Sequence, residues 1–73
     1  MSFKTIYVYL PDEAVDTWRP VLAEHVRENV YRIADQPHPE DEVWEFLPGT
    51  LVLCKQIQLD EGPVHAAIRA VEL

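Results

Sequence analysis

The residue types in this chain that could do chemistry are three histidines, one cysteine and a surplus of carboxylates. His25, His38 and His65 are spread along the chain, and none stands in an HxH, HExxH or Cys/His arrangement with metal-ligand spacing. His25 follows Glu24 directly, and adjacent residues on a strand point to opposite faces, so that pair does not make an acid–base couple. His38, between two prolines in an acidic stretch, reads as an exposed loop residue. An enzyme built on this sequence requires His25 or His65 within hydrogen-bond reach of carboxylates in a concave pocket. A small hydrolase or metal-dependent enzyme is therefore an alternative that depends on geometry. Cys54 lies in the apolar run Leu51-Val52-Leu53-Cys54, where a cysteine packs as a small hydrophobe. As a nucleophile it would need an electropositive, partly exposed setting, and Lys55 faces the other way on a strand. Two glycines in the whole chain leave no Gly-rich phosphate cradle. Glu40-Asp41-Glu42 with Glu45 matches no calcium loop, and reads as a solvated charge run. No catalytic residue, cofactor or metal ligand is assigned.

The aromatic residues carry more information. Tyr7, Tyr9, Trp18, Tyr31, Trp44 and Phe46 are many for a chain of 73 residues. A domain of this size buries only about 60% of the surface its unfolded chain exposes, so its core is thin. Trp44 and Phe46 suit a plug at one end of a barrel. Trp18, with Arg19, Tyr7 and Tyr9, forms the candidate binding set, an anchor patch of the kind enriched in interfaces.

Composition bounds the partners. Thirteen acidic and six basic residues give a formal charge of −7. Such a surface repels phosphate backbones and anionic lipid heads, so nucleic acid and membrane are not expected as partners, while basic partners are favoured. Net charge also serves solubility. A lone cysteine forms no internal disulfide. The amino terminus Met1-Ser2-Phe3-Lys4 runs straight into a strand pattern without the apolar region of a signal peptide, and no apolar run could span a bilayer, so a cytoplasmic location is expected.

These side chains must be placed by short elements joined by fixed turns, as six prolines against two glycines imply. Phe3 to Leu10 reads as a strand with Ile6, Val8 and Leu10 on one face and Phe3, Tyr7 and Tyr9 on the other. Asp12 to Asn29 carries helical spacing at Val15, Trp18 and Leu22, but Pro20 falls in its middle, where proline costs a helix about 3 kcal/mol. The extended reading is preferred: a strand from Trp18 to Val26 with Val21 and Ala23 on one face, a turn at Arg27-Glu28-Asn29, and a strand Val30 to Ala34 with Val30 opposite Val26. In that turn Asn29 is the residue suited to a left-handed conformation. A helix around residues 12–29, giving an α+β fold, is the alternative. Asp35 to Glu42 is a loop, Pro48-Gly49 suits a type II turn, and Thr50–Leu59 and Val64–Leu73 form a hairpin. The fold class is therefore all-β, a single domain over 1–73 with five strands closed into a small barrel, since closure removes exposed edges.

The segments VDTWRPVLAEHVRENVYRI (Val15 to Ile33) and VWEFLPGTLVLC (Val43 to Cys54) resemble a group of short uncharacterised bacterial proteins. These share a Trp-Arg-Pro-Val segment, a Tyr-Arg-Ile strand, a Trp-Glu-Phe then Pro-Gly step, and a Val-x-Cys strand. The resemblance implies an SH3-like small barrel and brings no activity with it. It also implies a glycine in the turn after His25-Val26, where this chain has Arg27-Glu28-Asn29.

Together these readings favour a non-catalytic module that recognises a protein or peptide through an aromatic groove bordered by acids. The alternatives are the small enzyme above and a homo-oligomeric structural protein, such as a homodimer, or a subunit of a larger complex. In the oligomer the apolar segment Val64–Leu73 would pair with a copy of itself.

Overall fold

The computed structural model describes residues 3–72, which form five strands and, among them, no helix. The strands are β1 (Phe3–Tyr9), β2 (Trp18–Arg27), β3 (Val30–Ile33), β4 (Leu51–Leu59) and β5 (Gly62–Ala70). Each pairs antiparallel with the next, and a parallel bridge between Tyr7 of β1 and Ala66 of β5 closes the barrel. The all-β five-stranded barrel is thus the fold, and the helix over residues 12–29 does not form. No helix is long and apolar enough to cross a membrane among the described residues. Leu73, the last residue of the strand expected from Val64, and Met1-Ser2, read as a terminus without a leader, lie outside the described residues.

The core follows from strand alternation. Ile6, Val8 and Leu10, Val21 and Ala23, Tyr31 and Ile33, Val52 and Cys54, and Ala67 all point inward and are buried. Trp44, from the connection between β3 and β4, joins this cluster, with Phe46 packed against it.

Pro20 sits inside β2 at no cost to the ladder, and the geometry of Leu22 shows why. The Leu22 amide donates to Gln36 Oε1 (3.0 Å), and its carbonyl accepts from the Ala34 amide (3.0 Å) and from Gln36 Nε2 (2.9 Å). Leu22 therefore turns its backbone groups away from β1. Backbone groups alternate along a strand, so Pro20, two residues earlier, presents its missing N–H to the same outer edge, where no ladder bond is lost. The Gln36 amide in turn acts as a short strand at that edge and satisfies groups that would otherwise invite pairing.

The turn between β2 and β3 differs from the expected one in two respects. His25 pairs with Tyr31 and Arg27 with Val30, so Val26 bulges out of the ladder instead of pairing with Val30. Glu28, not Asn29, takes the left-handed conformation, at φ 47°. The His25 ring lies beside it, with Nε2 2.8 Å from the Glu28 carbonyl oxygen, which requires the proton on Nε2. This is the turn in which the resemblance implied a glycine.

Of the two further turns, the first is as the sequence suggested and the second is tighter. Gly49 has φ 92° and the Thr50 amide donates to the Leu47 carbonyl (3.1 Å), the pattern of a type II turn with Pro48 at its second position. Gly62, at φ 123°, opens β5 directly after the turn Asp60-Glu61, so the hairpin is tighter than the four-residue turn expected.

Candidate functional site

The expected binding residues fall on two sides of the sheet. Tyr9 pairs with Trp18 across β1 and β2, both outward and half-buried, and their rings meet at 5.2 Å between centroids, tilted by 59°. The Tyr9 hydroxyl donates to Asp16 Oδ1 (2.9 Å) in the connection just before β2. That hydrogen bond, then the charge of Asp16 itself, some burial and the charge of Glu45 raise the Tyr9 pKa, so the aromatic pair stands in a negative potential.

Trp18 is also one wall of a surface groove of about 500 Å³. Asp16, Thr17 and Trp18 form one side, and residues Ile57 to Glu61 of the β4–β5 hairpin form the other. Ile57, Leu59 and Val64 share the hairpin face that is half-buried, while Gln56, Gln58 and His65 on the opposite face are exposed. Every charged residue lining this groove is acidic: Asp16, Asp60 and Glu61. The groove surface is thus mixed and mostly polar, with Trp18, Ile57 and Leu59 set among Thr17, Gln58 and the three carboxylates.

Arg19 does not belong to it. Inward residues of β2 are Val21 and Ala23, and Arg19 continues that face beyond the end of the core. Its guanidinium forks onto Glu42, with Nε donating to Oε1 (2.8 Å) and Nη2 to Oε2. Trp44 Nε1 donates to the same Glu42 Oε1 (2.7 Å), and His38 stands edge-on to the Trp44 ring at 4.8 Å. Glu42 therefore ties the β3–β4 connection to β2 and satisfies the one polar atom of a tryptophan only 5% exposed. The hydrogen bonds from Arg19 and Trp44 hold its carboxyl below the usual range, and the hydrogen bond to Glu42 raises Arg19 further above its own. Of the acidic run Glu40-Asp41-Glu42, one member thus has a structural task. Tyr7 lies two residues along from Tyr9, beside Pro20 of β2 and Ala66 of β5, and does not line the groove.

The histidines come together in a way the sequence did not indicate. His25 and His65 flank the buried ring of Tyr31, at 5.1 Å and 6.4 Å between centroids. The polar partner of His25 is a backbone carbonyl, and no hydrogen bond joins His25 or His65 to a carboxylate among the described residues. No group of three His, Cys, Asp or Glu side chains is placed to hold a metal ion, again among the described residues. Cys54, on β4 opposite Ala67 of β5, is buried in the core, which pushes its thiol up to about 11. A second groove of about 510 Å³, lined by Phe3, Ile33, Pro48 and Gly49 with the Arg32–Glu24 ion pair (3.2 Å) at its rim, contains none of the aromatic anchors.

Sequence reasoning found Tyr9 and Trp18 and missed the opposite wall. Ile57, Leu59, Asp60 and Glu61 read in isolation as an ordinary hairpin, and only closure of the barrel brings them to Trp18. No protein-family model, curated protein or solved structure matches the chain.

Proposed function

We propose that this protein is a non-catalytic interaction module that takes up a segment of another protein or a peptide in the groove between the β1–β2 connection and the β4–β5 hairpin. The observation that carries this reading is Trp18: a half-buried tryptophan braced by Tyr9, in a mostly polar groove that also holds Ile57, Leu59 and three carboxylates. Interfaces draw most of their energy from such aromatic anchors, and a rim of charge sets register and partner choice.

Selection from a random peptide library on the immobilised protein tests the proposal. Enriched peptides should perturb the amides of residues 16–18 and 57–61 in ¹H–¹⁵N spectra, and a Trp18→Ala variant that keeps its dispersed spectrum should lose them. Peptides that map elsewhere on the barrel, or whose binding ignores Trp18, would sink the reading.

A homodimer is the second reading. Phe3 and Leu22 are 55% and 51% exposed, and they lie diagonally across β1 and β2 on the same outer face. Light scattering that returns the monomer mass at millimolar concentration removes it.

A further inference from the structure

Going beyond the peptide reading, we propose that the outward face of β3, β4 and β5 docks on the acidic end of a second copy of this chain, so that copies associate head to tail. The starting observation is how charge is divided along the fold. Every lysine and arginine lies in a strand, whereas the connections between strands carry carboxylates and no lysine or arginine.

The cations gather on one sheet face. Arg27 of β2, Val30 of β3, Leu53 of β4 and Arg69 of β5 pair in turn and form one row across four strands. Arg32 and Leu51 pair in the neighbouring outward row, and Lys55 continues the face along β4. The residues that alternate with these, Tyr31, Ile33, Val52 and Cys54, point into the core. Val30, Leu51 and Leu53 are half-buried, while Arg27, Arg32, Lys55 and Arg69 around them are exposed. Glu24 is the one carboxylate that shares these rows, and it pairs with Arg32. Among the described residues Arg27, Lys55 and Arg69 have no ion-pair partner. An apolar centre flanked by arginines is the composition enriched in protein interfaces.

The complementary surface is on the same chain. β2 and β5 both leave the end where Asp16, Asp60 and Glu61 lie together, and both finish on the Arg27–Arg69 row. With 10 residues in β2 and 9 in β5, at about 3.3 Å each, the two surfaces are roughly 20–30 Å apart along the strands. The Debye length at physiological ionic strength is about 8 Å, so neither surface neutralises the other within one molecule. The same screening weakens the repulsion between two copies that each carry −7, while charges brought into contact are screened much less. A nucleic acid laid on the basic face would have to pass the acidic connections as well. A second copy meets the face with matching charge. The contact joins two different surfaces, so each dimer keeps one of each open and growth continues to larger species.

Sedimentation of the full chain up to about 1 mM, in about 0.05 M and about 1 M salt, tests the proposal, because the Debye length falls to about 3 Å at the higher salt. The mean mass should rise with concentration in low salt, and high salt should weaken association by at least about tenfold. Arg69→Glu should also weaken it, whereas Lys4→Glu should not. Lys4 makes the same change in net charge but pairs with the buried Ala23, on the other side of the sheet. Two reversed variants, Arg27→Glu/Arg69→Glu and Asp60→Lys/Glu61→Lys, should each be monomeric alone and associate when mixed, since opposite charges then face each other again. Dispersed ¹H–¹⁵N spectra establish that each variant is folded.

A chain that stays monomeric at about 1 mM in low salt overturns the proposal, since that concentration reveals even millimolar affinity. So does association that salt leaves unchanged, which would place it on an apolar face such as that of Phe3 and Leu22. So does Lys4→Glu if it impairs as much as Arg69→Glu, and so does a mixture of the reversed variants that remains monomeric.

Discussion

Glu42 is the test of how the long β3–β4 connection is held. Its side chain is 14% exposed and serves two partners of different worth. Arg19 is 44% exposed, so its ion pair with Glu42 is screened by water and contributes about 0.5–1 kcal/mol. Trp44 is buried, and stranding its indole N–H costs about 1–2 kcal/mol. Glu42→Ala removes both and should cost about 1.5–3 kcal/mol. Glu42→Gln keeps an amide oxygen where Trp44 Nε1 now finds Oε1, and should cost about 1 kcal/mol or less. For a domain of this size each kcal/mol moves Tm by about 4–8 °C, so the alanine variant should melt roughly 6–24 °C lower and the glutamine variant about 4–8 °C lower or less. Thermal and urea unfolding followed by fluorescence reads both, because Trp44 is buried and changes environment on unfolding. The pH dependence supplies a second readout. Glu42 titrates lower in the folded chain than its unfolded value of about 4.3, so the unfolded state binds more protons and the stabilisation is complete above that value. It is lost as pH falls through the lower, folded value, and the gap between wild type and Glu42→Gln should close there. Equal losses for Ala and Gln would show that the Trp44 hydrogen bond carries nothing. Changes under about 0.5 kcal/mol for both would refute the clamp altogether.

Two further outcomes follow from strained and buried positions. Glu28 holds a left-handed conformation that costs a non-glycine residue about 1–2 kcal/mol, partly offset in a glycine variant by the larger entropy of its unfolded chain. Glu28→Gly should therefore stabilise by about 0.5–1 kcal/mol while Glu28→Ala does not, and a glycine variant that melts lower than wild type would contradict the assignment. Cys54, with its thiol pushed up to about 11 by burial, should react with iodoacetamide at pH 8 at least about a hundredfold more slowly in the folded protein than in urea. Similar rates in the two states would mean that the core around Cys54 opens readily in the folded protein.

What was legible in the sequence was local, and what was not was long-range. Strand β1 announced its two faces, because alternation of Ile6, Val8 and Leu10 with Tyr7 and Tyr9 needs no knowledge of partners. Pro48-Gly49 announced its turn for the same reason. Pro20 argued against a helix, yet the sequence could not say which edge of β2 its missing N–H would meet; that depends on Gln36 and Ala34 occupying Leu22 from the outer side. Arg19 beside Trp18 suggested one patch, but consecutive strand residues face opposite ways, and the register sends Trp18 outward to the groove and Arg19 inward to Glu42. The same rule, applied at Glu24-His25 from the start, would have divided the candidate set before the structure did. The groove's second wall is a product of barrel closure, with Tyr7 of β1 meeting Ala66 of β5, whereas His25 meets Tyr31 across the β2–β3 hairpin and His65 joins them through the β3–β4 and β4–β5 pairings. A binding site on a small barrel is assembled by that closure, so its anchors are readable from composition and alternation, and its shape from the register alone.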